Sequence, residues 1–278
     1  MSIVIAGKRI DTSKWFESCC WLDDPKRAPR ISDFTPRKRW CRTIVSHTTK
    51  GRLGPLRKGS KPSQRAEALA RYQIKTDRFV SWDWMDDTDG TVIWQNDPLE
   101  WYSWNATQWN STCLGGELVQ DEDGSVYEEQ IRVYVLLTDL TTLALTHFGH
   151  SIQRQIPMKN GKVLPGVLPR ADEHGSMQGA DLCGIFAHHH NTEERGEGDC
   201  GPYAFEALAA AGYEQFDVND LQDLKTWKAR QLALGLTGKD VDGLPGRKTV
   251  AKIKATKNPH GLWIPRPLDD EMMRAIAA

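Results

Sequence analysis

Two short apolar runs, residues 42–47 and 182–188, each end on a histidine, and this feature constrains the fold of the 278-residue chain most tightly. Arg42-Thr-Ile-Val-Ser-His47 and Leu182-Cys-Gly-Ile-Phe-Ala-His188 read as short buried strands. Two strand-end histidines imply a common site beside the edge or end of one sheet.

The rest of the pattern alternates strands and helices. Residues 50–63 are rich in Gly, Pro and Lys and read as a mobile loop, followed by a helical stretch over 62–72. Residues 79–86 and 91–95 flank Asp89-Gly90, a hairpin signal, and period-two alternation places Trp82 and Trp84 on one side of their strand. Residues 113–119 form a further strand, closed by the acidic turn 121–124. Ser125 and Glu128 make a capping-box pattern for a long helix over about 126–148. Its apolar residues (Ile131, Val133, Val135, Leu136, Leu140, Leu143) face nearly every direction, so the helix is expected to be buried against a sheet. Residues 155–179, with three prolines and four glycines, read as a long loop. The remainder is helical, broken by turns. The fold class expected is α/β: a central mixed β-sheet flanked by helices, with a small C-terminal helical unit. The expected organisation is an N-terminal lead-in (1–41) packed on a main domain (42–214), then a helical element and tail (215–278).

Composition narrows the function classes. The chain is 39% hydrophobic and 26% charged, ordinary for a globular protein. No apolar run approaches the ~20 residues of a membrane span, so membrane insertion is not expected. The first residues lack the pattern of a secretory signal, which leads to the expectation of cytoplasmic synthesis. An extracytoplasmic substrate would then require release or delivery by another system. Six cysteines without a Cys-x-x-Cys pair read as reduced thiols. The net charge of −1 hides an asymmetry: residues 26–75 hold fifteen Lys or Arg against two acids, and residues 76–130 hold thirteen acids against one base. A basic run serves an anionic cell-wall polymer as well as nucleic acid, and the commonest explanation is a solvated face. No base-reading motif is present, so nucleic acid is not an expected partner.

Beside His47 and His188, the turn Gly198-Asp199-Cys200-Gly201-Pro202 adds a carboxylate and a thiol. A catalytic zinc site holds three ligands from imidazole, carboxylate or thiolate and keeps one position open. His47, His188 and Asp199 make such a set, with Cys200 as the rival third ligand. A single histidine at a strand end is more often structural than a ligand. In His188-His-His190 at most two rings can face one metal, and the others are expected to meet solvent.

Taken in order, Ile44-Val-Ser-His47, the Trp-rich hairpin, Trp104-Asn-Ala106, Asn110, Cys113-Leu-Gly-Gly-Glu-Leu118, the long helix, Ala187-His188 and Asp199-Cys-Gly-Pro202 resemble the zinc amidases of the phage-lysozyme and peptidoglycan-recognition-protein fold. The resemblance covers residues 42–208. It implies an N-acetylmuramoyl-L-alanine amidase that binds Zn2+ through His47, His188 and Asp199 and uses Glu117 in the chemistry. The implied partner is peptidoglycan or a muropeptide, with Trp82, Trp104, Asn105 and Asn110 as candidate contacts. The sequence departs from the family pattern at three places. Trp82-Asp83 stands where Tyr-His is usual, and Trp104-Asn105-Ala106 where Trp-His-Ala is. Glu197 occupies the position of a basic residue two before the third ligand, which implies a site short of positive charge.

Glu117 also has an ordinary reading as a solvent-facing strand residue, but Gly-Gly-Glu inside an apolar strand suits a general base better. Six of the eleven tryptophans lie between positions 82 and 109, where Trp101, Trp104 or Trp109 could meet sugar rings, although core packing is the default for Trp. Residues 224–235, followed by Asp242-Gly-Leu-Pro-Gly-Arg-Lys-Thr249, resemble a small helical peptidoglycan-binding repeat. A helical tail docked on the main domain is the plainer alternative. A lytic, endolysin-like or toxin-like wall enzyme is thus expected, against two alternatives: a cytosolic muropeptide-recycling amidase, and a recognition module that binds without cutting.

Overall fold

The computed structural model describes residues 1–23, 35–38, 41, 43–62, 64–77, 80–106, 109–150, 152–166, 184–192, 194–216, 228, 231–232, 234–243, 248 and 267–278. The strands are β1 (Ser2–Ile5), β2 (Lys8–Asp11), β3 (Ser18–Cys20), β4 (Thr35–Pro36), β5 (Thr43–Thr48), β6 (Leu56–Arg57), β7 (Trp84–Asp86), β8 (Val92–Trp94), β9 (Trp101–Tyr102), β10 (Cys113–Leu118), β11 (Val126–Tyr127), β12 (Gln155–Lys159), β13 (Lys162–Val163), β14 (Gly184–Ala187) and β15 (Glu214–Phe216). The helices are α1 (Arg65–Lys75), α2 (Glu128–His147), α3 (Pro202–Ala210) and α4 (Pro267–Ala277).

A six-stranded mixed sheet, ordered β14-β5-β10-β7-β8-β3, is the centre of an α/β fold. The four strands β14, β5, β10 and β7 run parallel, and β8 turns back antiparallel to β7. Parallel strands buried on both faces require near-continuous apolar sequence, and residues 43–48 and 113–118 are buried throughout. Alternation divides these strands between two faces. Ile44, Leu114, Leu118, Ile185 and Ala187 join one core with Leu137, Leu140 and Ala144 of α2, and Ser46 bonds Tyr134 on that helix. His47 and Glu117, one residue out of phase, therefore look to the opposite face.

The expected hairpin is present: β7 pairs with β8, and Gly90 takes the positive φ of 84° that its turn needs. Trp82 and Trp84 do not share a face, however. The chain bends at Asp83 before β7 begins, so period two does not extend back to residue 82. Trp84 is fully buried against Trp94 on the α2 side, whereas Trp82 packs with the Met85 cluster on the other. Gly116 makes room for Trp84, since a Cβ there would lie 2.5 Å from the indole.

Three further expectations need correction. The long helix begins at Glu128; Tyr127 is its N-cap and donates its N–H to Gln130 Oε1 at 3.3 Å. Ser125 instead donates to Asp123 and accepts from Arg57, which removes it from any capping role. The segment read as a loop from residue 155 starts with β12 and β13, and β12 also pairs with β15. The loop of residues 50–63 contains β6, which pairs with β11. Within the N-terminal lead-in, β3 is the edge strand of the central sheet and Ile3, Ile5 and Ile10 are fully buried in the core. Most of the C-terminal helical element, residues 217–227 and 249–266 among them, lies outside the described residues. Its loop is seen in part: buried Gln231 accepts from Gly243 N and donates to Asp242 Oδ1, both at 2.8 Å.

Candidate metal centre

Three parallel strands deliver the site. His47 is the fifth residue of β5, and its register partner on β10 is Glu117. On the other side of β5, Ala187 pairs with Ser46, so His188 follows directly at the end of β14 beside His47. Ligands of open α/β sheets bind at the carboxyl ends of strands, and these groups stand there. Asp199 arrives from the turn after β14. Thr48 anchors that turn by donating its N–H to Asp199 Oδ1 at 2.9 Å and its hydroxyl to Gly198 O at 2.7 Å. Gly198 has to be glycine for this approach, because a Cβ would sit 2.5 Å from the backbone of Arg52.

The donor atoms converge. His47 Nδ1 lies 2.9 Å from His188 Nδ1, which lies 3.1 Å from Asp199 Oδ2. With bonds of ~2.0 Å, ligand atoms on a tetrahedral zinc stand about 3.3 Å apart, so the spacing is close to that of three ligands around one ion. All three side chains are buried, and their donor atoms lie within 4.8 Å of one another. Burial first, then the neighbouring His188, pushes the His47 pKa down to about 3, leaving the neutral imidazole a metal requires. Burial alone would raise the Asp199 carboxyl, but its bond with His188 and the nearby His47 bring the net shift below the ordinary value. Two imidazoles and a carboxylate with these distances are a group that could hold a metal ion.

Glu117 is 2% exposed, and burial followed by the charge of Asp199 raises its pKa well above the usual carboxylate range. It lines a cavity of about 110 Å³ together with His47, His188, Asp199, Trp82 and Arg195. Arg195 is the residue that sequence reasoning missed. Its guanidinium, about half exposed, lies 3.8 Å from Asp199 Oδ2 and carries positive charge to the cavity. Glu197 lines a neighbouring cavity instead. The expected shortage of positive charge is thus filled from four residues before Asp199 rather than two.

The remaining candidates separate. Asn105 Oδ1 lies 3.2 Å from His47 Nε2. Asn110 faces inward, where its Oδ1 accepts the N–H groups of Asn105 and Ala106. Trp104 is exposed beside Tyr102, with ring centroids 5.9 Å apart. Cys200 is buried in the core, its Sγ 3.5 Å from Gly201 O, and is not among the converging groups. His189 and His190 do not meet solvent as expected: both are buried and hydrogen-bond Leu164 O through Nε2.

No family model matches the chain, and no curated protein matches it. Among solved structures, a mutant endolysin from Bacillus subtilis is similar over 46% of this chain and 75% of its own, with 16% identity and a TM-score of 0.33. Among the described residues, no helix is long and apolar enough to cross a membrane.

Proposed function

We propose that the chain is a zinc-dependent N-acetylmuramoyl-L-alanine amidase, hydrolysing the amide between N-acetylmuramic acid and L-alanine in peptidoglycan. The observation that carries this reading is the convergence of His47 Nδ1, His188 Nδ1 and Asp199 Oδ2 beside the buried carboxyl of Glu117. The order of motifs around these residues supports the amide and the substrate. Zinc held there would supply Lewis acidity, polarising the carbonyl and making water nucleophilic near neutral pH.

The chain's own groups supply the rest. Glu117, on the cavity wall, accepts the proton of the attacking water and passes it to the departing amine of alanine. Arg195 faces the negative charge that develops on the carbonyl oxygen. Trp82 forms part of the cavity wall, and Trp104 offers an aromatic face for a sugar ring outside it. Residues 217–255 are assigned wall affinity rather than chemistry, and the enzyme would meet its substrate after release or delivery by another system.

Incubating purified peptidoglycan with the zinc-loaded protein tests the reading. Mass spectrometry should find stem peptides with free N-terminal L-alanine and glycan strands stripped of peptide. Intact muropeptide bound to the protein with no new alanine terminus would leave a recognition module in its place.

A further inference from the structure

Beside the converging donors runs a chain of hydrogen bonds that ends on a buried carboxylate. Ser103 Oγ donates to Asp83 Oδ2 at 2.8 Å, Asn105 Nδ2 donates to Ser103 Oγ at 2.5 Å, and Asn105 Oδ1 faces His47 Nε2 at 3.2 Å. Asp83 also receives the N–H of Gly115 on Oδ2 at 2.7 Å and Asn96 Nδ2 on Oδ1 at 2.5 Å. Asp83 and Ser103 are fully buried.

The direction of this chain follows from what each group can do. A backbone N–H and an amide NH2 only donate, so both oxygens of Asp83 act as acceptors. The Ser103 hydroxyl, committed as a donor to Asp83, has lone pairs left for the Asn105 amide. That amide, with its NH2 spent on Ser103, turns its carbonyl to His47. A ring nitrogen facing a carbonyl has to carry the proton, and an imidazole protonated on Nε2 keeps its lone pair on Nδ1. Nδ1 is the atom that faces His188 and Asp199.

We infer that Asp83, Ser103 and Asn105 are positioning residues that hold His47 in its Nε2–H form and prepare Nδ1 as a metal ligand. The inference rests on the metal-centre reading above. The surroundings leave the chain little freedom. Asn105 N and Ala106 N are both held by Asn110 Oδ1, while Ser81 and Trp104 exchange two hydrogen bonds. Gly115 donates to Asp83 and also leaves the space Asn105 occupies, since a Cβ there would lie 2.2 Å from Asn105 Nδ2. His188 has no such arrangement: among the described residues, its buried Nε2 has no hydrogen-bond partner. The outer nitrogen of His47 is thus held by a partner, and that of His188 is not.

Two measurements on the full chain test this. Long-range 15N–1H NMR of the metal-free protein reads the tautomer of His47, and competition against a chromophoric chelator reads zinc affinity. The wild type should show His47 as a single Nε2–H tautomer. Ser103→Ala and Asn105→Ala should mix the tautomers and weaken zinc binding roughly 10–100-fold, the usual effect of losing a partner behind a metal ligand. Ser103→Thr, which keeps the hydroxyl, should restore both readouts. Cooperative thermal unfolding identifies the variants that remain folded. An Nδ1–H tautomer in the wild type overturns the inference, as do folded Ser103→Ala and Asn105→Ala variants that keep one tautomer and full affinity. If the wild type bound no zinc, the metal-centre reading would fail, whereas the tautomer would still decide whether the chain sets His47.

Discussion

At the scale of single residues, the site is a consequence of register: Glu117 and His47 are partners on adjacent parallel strands, and Asp199 is brought to them by Thr48. His47→Ala and Asp199→Ala should each abolish stoichiometric zinc and peptidoglycan cleavage together, read by metal analysis and by release of N-terminal alanine. Glu117→Gln keeps the shape, so zinc should stay while hydrolysis falls roughly 10²–10⁴-fold, the range of a positioned acid–base group. Wild-type digestion by that variant would make Glu117 structural. Arg195→Ala should lower kcat by about tenfold or more, less than the 10²–10³ of a buried donor because the guanidinium is half exposed. Glu197→Lys should change little, since Arg195 already brings charge to the cavity; a large gain in rate from it would mean that Arg195 does not serve this role. The two histidines and the Gly-Gly-Glu strand were legible in the sequence because each lies at or near the end of an apolar run. Arg195 was not, because nothing in Glu194-Arg-Gly-Glu-Gly-Asp199 tells which way an irregular loop folds. The departures at Asp83 and Asn105 were visible as separate oddities, and only the fold reveals that Ser103 joins them.

At the scale of elements, part of the charge asymmetry of the sequence is paired within the molecule. Arg57 pairs with Asp123 at 2.5 Å, while Lys61 and Arg65 pair with Asp121 at 2.6 and 2.8 Å. The acidic turn after β10 thus fastens the basic segment before α1, and no anionic polymer is needed to explain these basic residues. The two blocks of charge were plain in the sequence, but their mutual pairing was not, because it depends on β6 lying beside β11. The same non-local pairing defeated the local reading of Ser125 as a helix cap. Lys61 and the other donors around Asp121 hold its carboxyl down at about 2, and Ser125 and Arg57 lower Asp123 as well. A carboxyl depressed in the folded state adds stability that is complete above its unfolded pKa of about 3.9 and is lost as pH falls through the folded value. Thermal unfolding temperature should therefore decline between pH of about 4 and 2, and Asp121→Asn should make that decline shallower. An unchanged slope in the variant would assign the acid sensitivity to other groups.

At the scale of the whole molecule, the C-terminal helix is part of the body. Arg154, 3% exposed, grips Asp269 of α4 through two bonds of 2.5 and 2.6 Å and lies 3.3 Å from Asp139 of α2. Met272 and Ile276 of α4 are fully buried in the main core. Removing one partner from a buried ion pair costs about 3–5 kcal/mol, so Asp269→Ala should destabilise by that order in denaturant titrations. A loss under 1 kcal/mol would mean that α4 is held by its apolar face alone. Cutting the chain before residue 217 removes this helix, so wall affinity is better tested by replacing residues 217–255 with a flexible linker and keeping α4. If that folded variant pelleted with peptidoglycan as well as the full chain does, the segment has no binding role. The described ends also meet: Lys8 Nζ donates to Ala277 O at 3.0 Å, and Lys14 pairs with Glu271 at 3.4 Å. A chain whose first and last elements touch is close to a closed ring. With a linker joining Ala278 to Met1, new termini opened between residues 217 and 266 would leave every pairing of the central sheet uncut. Such a permuted protein should fold and bind metal as the parent does, with the segment of residues 217–266 divided between two free ends.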